Sequence, residues 1–266
     1  MKIIALLLAS LLIFTSCNKN EDIDTCQLEK FVQENPLNAS FHYDFLTLKD
    51  GRIEKMVSYD LNSKKDTLNR VIAFFEYNQK GKVKAVRDEG NPNRIKRYDA
   101  SFDNNGNVKQ ITQSTNGNIE DEIDIEYDSQ NRPVSIISRY LIGITRSIEY
   151  DNNGNPQSIF RADLGFTPTI TEHKFDDKRN LFAGIPAIQF YWIIRPLSLF
   201  LPFGEHNIVS SKVFVFDDTK FTEAVNQQTR RELVYNSKGF PETIKVIRED
   251  LSSTVANIST LSYNCE

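Results

Sequence analysis

YDNNGNPQSI at 150–159 is one of five near-copies, with YNQKGKVKAV at 77–86, FDNNGNVKQI at 102–111, YDSQNRPVSI at 127–136 and YNSKGFPETI at 235–244. Each opens on an aromatic residue, continues with Asp or Asn, places Gly or Asn fifth and ends on Ile or Val. Counting Phe175 as another opening, the aromatics at 77, 102, 127, 150 and 175 lie 25, 25, 23 and 25 residues apart. A fixed period of that size marks a repeat architecture. Upstream of the third copy, Ile123, Ile125 and Tyr127 alternate with Glu122, Asp124 and Glu126, the period-two pattern of a strand with one wet face. The decamer then reads as a hairpin turn. Asp103, Asp128 and Asp151 can accept hydrogen bonds from backbone amides two residues on, and Gly81, Gly106, Gly154 and Gly239 can take positive φ. Asn131 replaces that Gly in one copy and is the next most tolerant residue there. Pro133, Pro156 and Pro241 follow the turn, where a strand's first residue best tolerates a missing N–H.

LKDGRIEKM around Gly51 fits the same frame, the pattern resumes at Phe216 and Tyr235, and Tyr263-Asn264 reads as an opening cut short. Each unit supplies two antiparallel strands joined by a return, such as TNGN at 115–118, expected to be looser than the decamer turn. The fold class is therefore mainly β: an antiparallel meander of about a dozen strands, curling into a barrel or half-barrel because long open sheets twist.

One segment breaks the frame. Phe175 and Phe216 are 41 residues apart, and between them lies NLFAGIPAIQFYWIIRPLSLFLPFG at 180–204, with the single tryptophan, Trp192. Pro186, Pro196, Pro202 and Arg195 make it a poor bilayer span. It predicts one or two short helices within 181–203, laid across the concave face as a core plug. The alternative is a lid that meets a ligand, membrane or partner through Phe190, Trp192, Ile194 and Phe200.

MKIIALLLASLLIFTS at 1–16 has a lysine, an apolar run and small residues before Cys17, and reads as a secretory signal. The junction resembles the lipobox of bacterial lipoproteins, which implies acylation of Cys17 and membrane attachment through lipid. The expected organisation is a signal at 1–16, a lipidated cysteine with a tether or N-terminal segment at 17–38, and one repeat β domain at 39–266 with the helical insertion at about 181–203. The address implied is that of an outer-membrane lipoprotein, periplasmic or surface-exposed. Cys26 and Cys265 bracket the domain, and outside the cytoplasm they can form a disulfide. Their Cα atoms would then lie within roughly 7 Å.

The Tyr-Asp-x-x-Gly-Asn core resembles the YD repeat of Rhs and teneurin shells. The combination of lipobox, hairpin repeats, late apolar insertion and HNIVSS at 206–211 is similar to a family of Bacteroidota lipoproteins of unknown function. That resemblance implies fold and address and supplies no catalytic residues.

The net charge of −4, with basic residues scattered among acids, argues against nucleic acid as a partner. His42, His173 and His206 have no metal-ligand spacing, and no nucleophile elbow, zinc-protease or phosphate-loop motif occurs. DNNGN at 103–107 and 151–155 offers oxygen at alternate positions, but its Gly is fourth, whereas a calcium loop needs it sixth. Asp121-Glu122 and Asp176-Asp177 read as solvated pairs among 36 acids. The expectation is a protein without metal or cofactor, and not an enzyme. Its partners are the membrane, through the lipid, and an envelope protein, glycan or lipid. A carrier of a hydrophobic ligand and a glycan-acting enzyme, which needs two facing carboxylates, are the rivals.

Overall fold

The decamers are turns between paired strands. At 151–155, the Gly154 amide donates to the Asp151 carbonyl (3.1 Å) and the Asp151 amide to the Asn155 carbonyl (2.9 Å). The Asp151 carboxylate accepts from the amides of Asn153 (2.9 Å) and Asn155 (2.8 Å). Asn78, Asp128 and Asn236 accept the same two amides in their own turns, and Asp103 accepts that of Asn107. Gly106, Gly154 and Asn131 all have positive φ, at 83°, 81° and 60°. This is a type I turn closed by a left-handed residue, and the strand register shifts beside it as a bulge requires.

The computed structural model describes residues 26–34, 40–47, 50–62, 64–91, 93–140, 144–180, 182–195, 201–249 and 255–265. Cys17, Phe200 and the segment 1–25 lie outside them. The strands are β1 (Cys26–Glu34), β2 (Ser40–Thr47), β3 (Ile53–Leu61), β4 (Thr67–Tyr77), β5 (Val83–Asn91), β6 (Arg94–Phe102), β7 (Val108–Thr115), β8 (Asn118–Tyr127) and β9 (Pro133–Ser138). They continue as β10 (Thr145–Tyr150), β11 (Pro156–Ala162), β12 (Thr169–Arg179), β13 (His206–Phe216), β14 (Phe221–Glu223), β15 (Thr229–Tyr235), β16 (Pro241–Arg248) and β17 (Val255–Cys265).

Apart from β14 and β15, which both pair with β13, each strand pairs antiparallel with its sequence neighbour, and β1 pairs with both β2 and β17. The sheet is thus a closed barrel of sixteen strands, with short β14 lying alongside β13 as the seventeenth. The count exceeds a dozen for two reasons. Residues 26–34, placed by sequence in the segment ahead of the domain, are the strand that closes the ring, so the barrel begins before residue 39. His206–Phe216 adds a long strand after the insertion.

Two local expectations are corrected. TNGN at 115–118 is a tight two-residue turn, with φ of 50° at Asn116 and 86° at Gly117, the left-handed pair that matches strand twist. Phe175 opens no turn, because β12 runs on to Arg179 with its register shifted at Phe175.

Alternating strands place all the decamer turns at one end, the turn rim, together with Cys26, Cys265 and both ends of the insertion. At this rim tyrosines tie neighbouring hairpins together. The hydroxyls of Tyr77, Tyr150 and Tyr263 donate to the carbonyls of Ile53 (2.7 Å), Pro133 (2.9 Å) and Pro241 (2.6 Å), each the first residue of a strand. The opposite end, or far rim, carries the returns.

The insertion re-enters the barrel as helix α1 (Pro186–Ile194), with Pro186 in the first turn, where its missing N–H costs nothing. Ala187, Ile188, Phe190, Tyr191, Trp192 and Ile193 are all buried, so α1 is a core helix rather than an amphipathic one. It meets the inward residues of the sheet, including Phe31, Met56, Phe75, Val86, Ile111 and Ile136. Asn180 fastens its neck, donating to the carbonyls of Leu201 (2.8 Å) and Gly204 (3.0 Å).

Candidate functional site

The inward face was expected to be apolar, and most of it is. Between α1 and strands β2 to β4, the crevice lined by Tyr43, Phe45, Met56, Phe75, Tyr191 and Trp192 has a volume of about 10 Å³. That is room for no more than one water. A second hollow, of about 170 Å³, lies at the turn rim between Asn107, Asn131 and Arg132 on the turns and Gln189 and Phe190 on α1.

The chemistry gathers elsewhere. Beneath the C-terminal end of α1, toward the far rim, a cavity of about 340 Å³ is bounded by β6 to β10. Arg94, Lys96, Arg146 and Arg195 line it, with the acids Glu120 and Asp121. Strand parity puts them there: Asp121 shares its face with Ile123 and Ile125, Arg146 with Ile148, and Lys96 with Tyr98.

Arg195, just past the end of α1, is paired with the buried Asp88 (2.6 Å). Arg94 is paired with Glu120 (3.2 Å) at the mouth. Asp121, only 4% exposed, accepts from the Ser138 hydroxyl (2.6 Å) and from the amides of Tyr140 (3.0 Å) and Glu122 (2.8 Å). The expectation that Asp121-Glu122 is a solvated pair therefore fails for Asp121, which faces inward. Asp176, too, is engaged, by the Tyr235 hydroxyl and the Asn207 amide (3.1 Å).

Arg146 is 3% exposed. One of its terminal nitrogens donates to the Ile193 carbonyl (3.3 Å), and its guanidinium lies 5.5 Å from the centre of the Trp192 ring. Burial pushes its pKa down to about 10.

Of the residues singled out from sequence, Phe190 and Trp192 are buried in the plug. Ile194 is half-buried beside the polar cavity. The turn residues serve the rim. Cys26 and Cys265 are register partners on β1 and β17, so the two ends of the barrel domain meet. His42 stacks on Tyr59, His173 bonds to Ser211 (2.9 Å), and His206 sits against Asn155 (3.2 Å). Among the described residues no three His, Cys, Asp or Glu side chains are grouped to hold a metal. Sequence reasoning missed Arg146, Arg195 and Asp88, although parity along β10 marks Arg146 as inward.

No family model and no curated protein matches the chain. Solved structures do. A porin-like protein from Bacteroides uniformis superposes with a TM-score of 0.57 at 11% identity, covering 90% of this chain and 98% of that one. What is shared is the barrel fold. A porin-like protein from Bacteroides vulgatus gives 0.45 at 11% identity over the same shares, and the TcdB2-TccC3-Cdc42 structure 0.35 at 14%, over 82% of this chain and 12% of that one.

The outward face differs from the inward one in kind. Arg97 pairs with Glu76 (2.9 Å) and Asp99 (2.9 Å), Arg139 with Asp124 and Glu122, and Lys245 with Glu232 (3.1 Å). Arg97–Glu76 and Lys245–Glu232 bridge strands, Arg97–Asp99 runs along β6, and Arg139 reaches β8 from just past the end of β9.

Proposed function

We propose that the protein is a lipid-anchored barrel of the cell envelope, acylated at Cys17 and surrounded by water, with a non-catalytic binding role. One observation carries this reading: ion pairs stand on the outside of the wall, among scattered exposed apolar side chains, while aromatic and aliphatic side chains fill the inside. A barrel that spans a bilayer needs the reverse, an outward apolar band, and a charge on that band costs about 2–4 kcal/mol at the midplane. The porin-like name of the Bacteroides neighbours therefore does not extend to this chain as a pore. The helix α1 occupies the bore.

Cys17 stands nine residues before Cys26, and a tether of that length spans roughly 30 Å at most. The turn rim is thus held toward the membrane, and the far rim, with the mouth of the polar cavity, points away from it. A carrier of acyl chains would need apolar space, and the crevice beside α1 offers about 10 Å³.

Fractionation tests the anchor. Cys17→Ser should shift the protein from the membrane pellet to the soluble fraction, and its retention in the pellet after a high-salt wash would overturn the reading.

A further inference from the structure

We propose that the cavity beneath the end of α1 binds a small oxyanion, a carboxylate or a phosphate ester, through the buried guanidinium of Arg146 and the ammonium of Lys96. The proposal rests on the binding role given above and names the class of ligand.

A buried cation without an anion is costly, and proteins pair such groups or neutralise them. Among the described residues no carboxylate lies within 4.0 Å of Arg146, and its buried Nε has no hydrogen-bond partner. The cross-strand residue opposite is another cation, Arg161; the buried Asp163 pairs with Arg161, and its charge reaches Arg146 only from beyond 4.0 Å. The Ile193 carbonyl and the Trp192 ring offset part of the cost, as the negative end of a helix and an aromatic face do. They engage one terminal nitrogen and the ring-facing side, and Nε is left buried without a partner.

Charge accounting within the cavity points the same way. Arg195 is matched by Asp88 and Arg94 by Glu120, while Asp121 is held by neutral donors. Lys96, also on the wall, has no carboxylate within 4.0 Å among the described residues. Two cations thus face about 340 Å³ of space, a volume suited to a small ligand. An oxyanion would accept a charge-assisted hydrogen bond from the Arg146 guanidinium, of the kind that arginine offers carboxylate and phosphate. The Arg94 side chain, 57% exposed, marks the mouth.

Calorimetry and thermal shift on the mature protein at low ionic strength test the site, with inorganic phosphate and succinate as probes and chloride as the control. At least one probe should bind and raise Tm more than chloride does. Arg146→Gln should weaken binding at least about tenfold, the scale of a charge-assisted hydrogen bond. Lys96→Gln, at the partly exposed wall, should weaken it several-fold without lowering the Tm of the free protein, which keeps the test intact if the Arg146 variant fails to fold. A preference of about tenfold for one probe would identify the source of the oxyanion. No response to either probe at about 20 mM, or binding that both substitutions leave unchanged, would overturn the proposal. Membrane retention through Cys17 is measured separately, so loss of the ligand class would leave the anchored barrel standing.

Discussion

A single carboxylate organises each turn. Asp151 accepts two backbone amides that have no strand partner, and Asn155 returns a side-chain bond (3.3 Å) to its second oxygen. Asp151→Ala should therefore cost about 1–2 kcal/mol, since two donors lose a charged acceptor. In a chain of this size that lowers Tm by about 2–8 °C, and a calorimetric scan reads it. An unchanged Tm would mean water replaces the carboxylate freely. His173 gives a second residue-scale test. Burial, then the nearby Arg231 charge, pushes its pKa down to about 3. Unfolded histidine takes a proton near pH 6.5, so the folded state excludes a proton that the unfolded chain binds. This stability is whole above about pH 6.5 and drains as pH falls toward about 3. Tm measured at pH 7 and at pH 4.5 should fall less in His173→Gln than in the parent. An equal fall would show that the acid sensitivity resides in other groups.

At the scale of elements, the seam decides whether the barrel is a ring. β1 and β17 run antiparallel from Cys26 opposite Cys265 to Glu34 opposite Ile258, with one irregularity after Leu28. A disulfide between the two cysteines would close a loop of nearly the whole domain, a constraint worth about 2–5 kcal/mol. Cys26→Ser, or reduction of the parent, should then lower Tm by about 5–15 °C. Non-reducing peptide mapping that finds both thiols free in protein exported to an oxidising compartment would remove that term. The hairpins were legible because Asp, Gly and period-two alternation each act over a few residues. The closing strand was not, since CQLEKFVQE at 26–34 follows a polar run and carries no decamer; its partners lie on β2 and across the chain on β17. The plug was legible from composition and prolines, but not its polar surroundings. Arg146 and Asp121 sit at inward positions that alternation alone assigns; the helix end holds Arg146, and the Ser138 hydroxyl with the Tyr140 and Glu122 amides holds Asp121, partners that the sequence does not display.

For the whole molecule, the distribution of polarity between wall and bore governs behaviour in a membrane. Glu76, Arg97, Asp99, Asp124, Arg139 and Glu232 all point outward from the strands. At about 2–4 kcal/mol for a basic side chain at the midplane, the arginines alone oppose insertion. The inward face contributes nothing in compensation, because its apolar side chains are already spent on α1. The unlipidated Cys17→Ser protein should therefore stay at the bottom of a flotation gradient with liposomes, and planar bilayers exposed to it should show no conductance steps. On the proposed anchoring at Cys17, the acylated protein should float with the liposomes and leave conductance at baseline, since α1 blocks the bore. Conductance from either form would require α1 to leave the bore and the charged wall to meet lipid, and would overturn the account of a water-surrounded barrel.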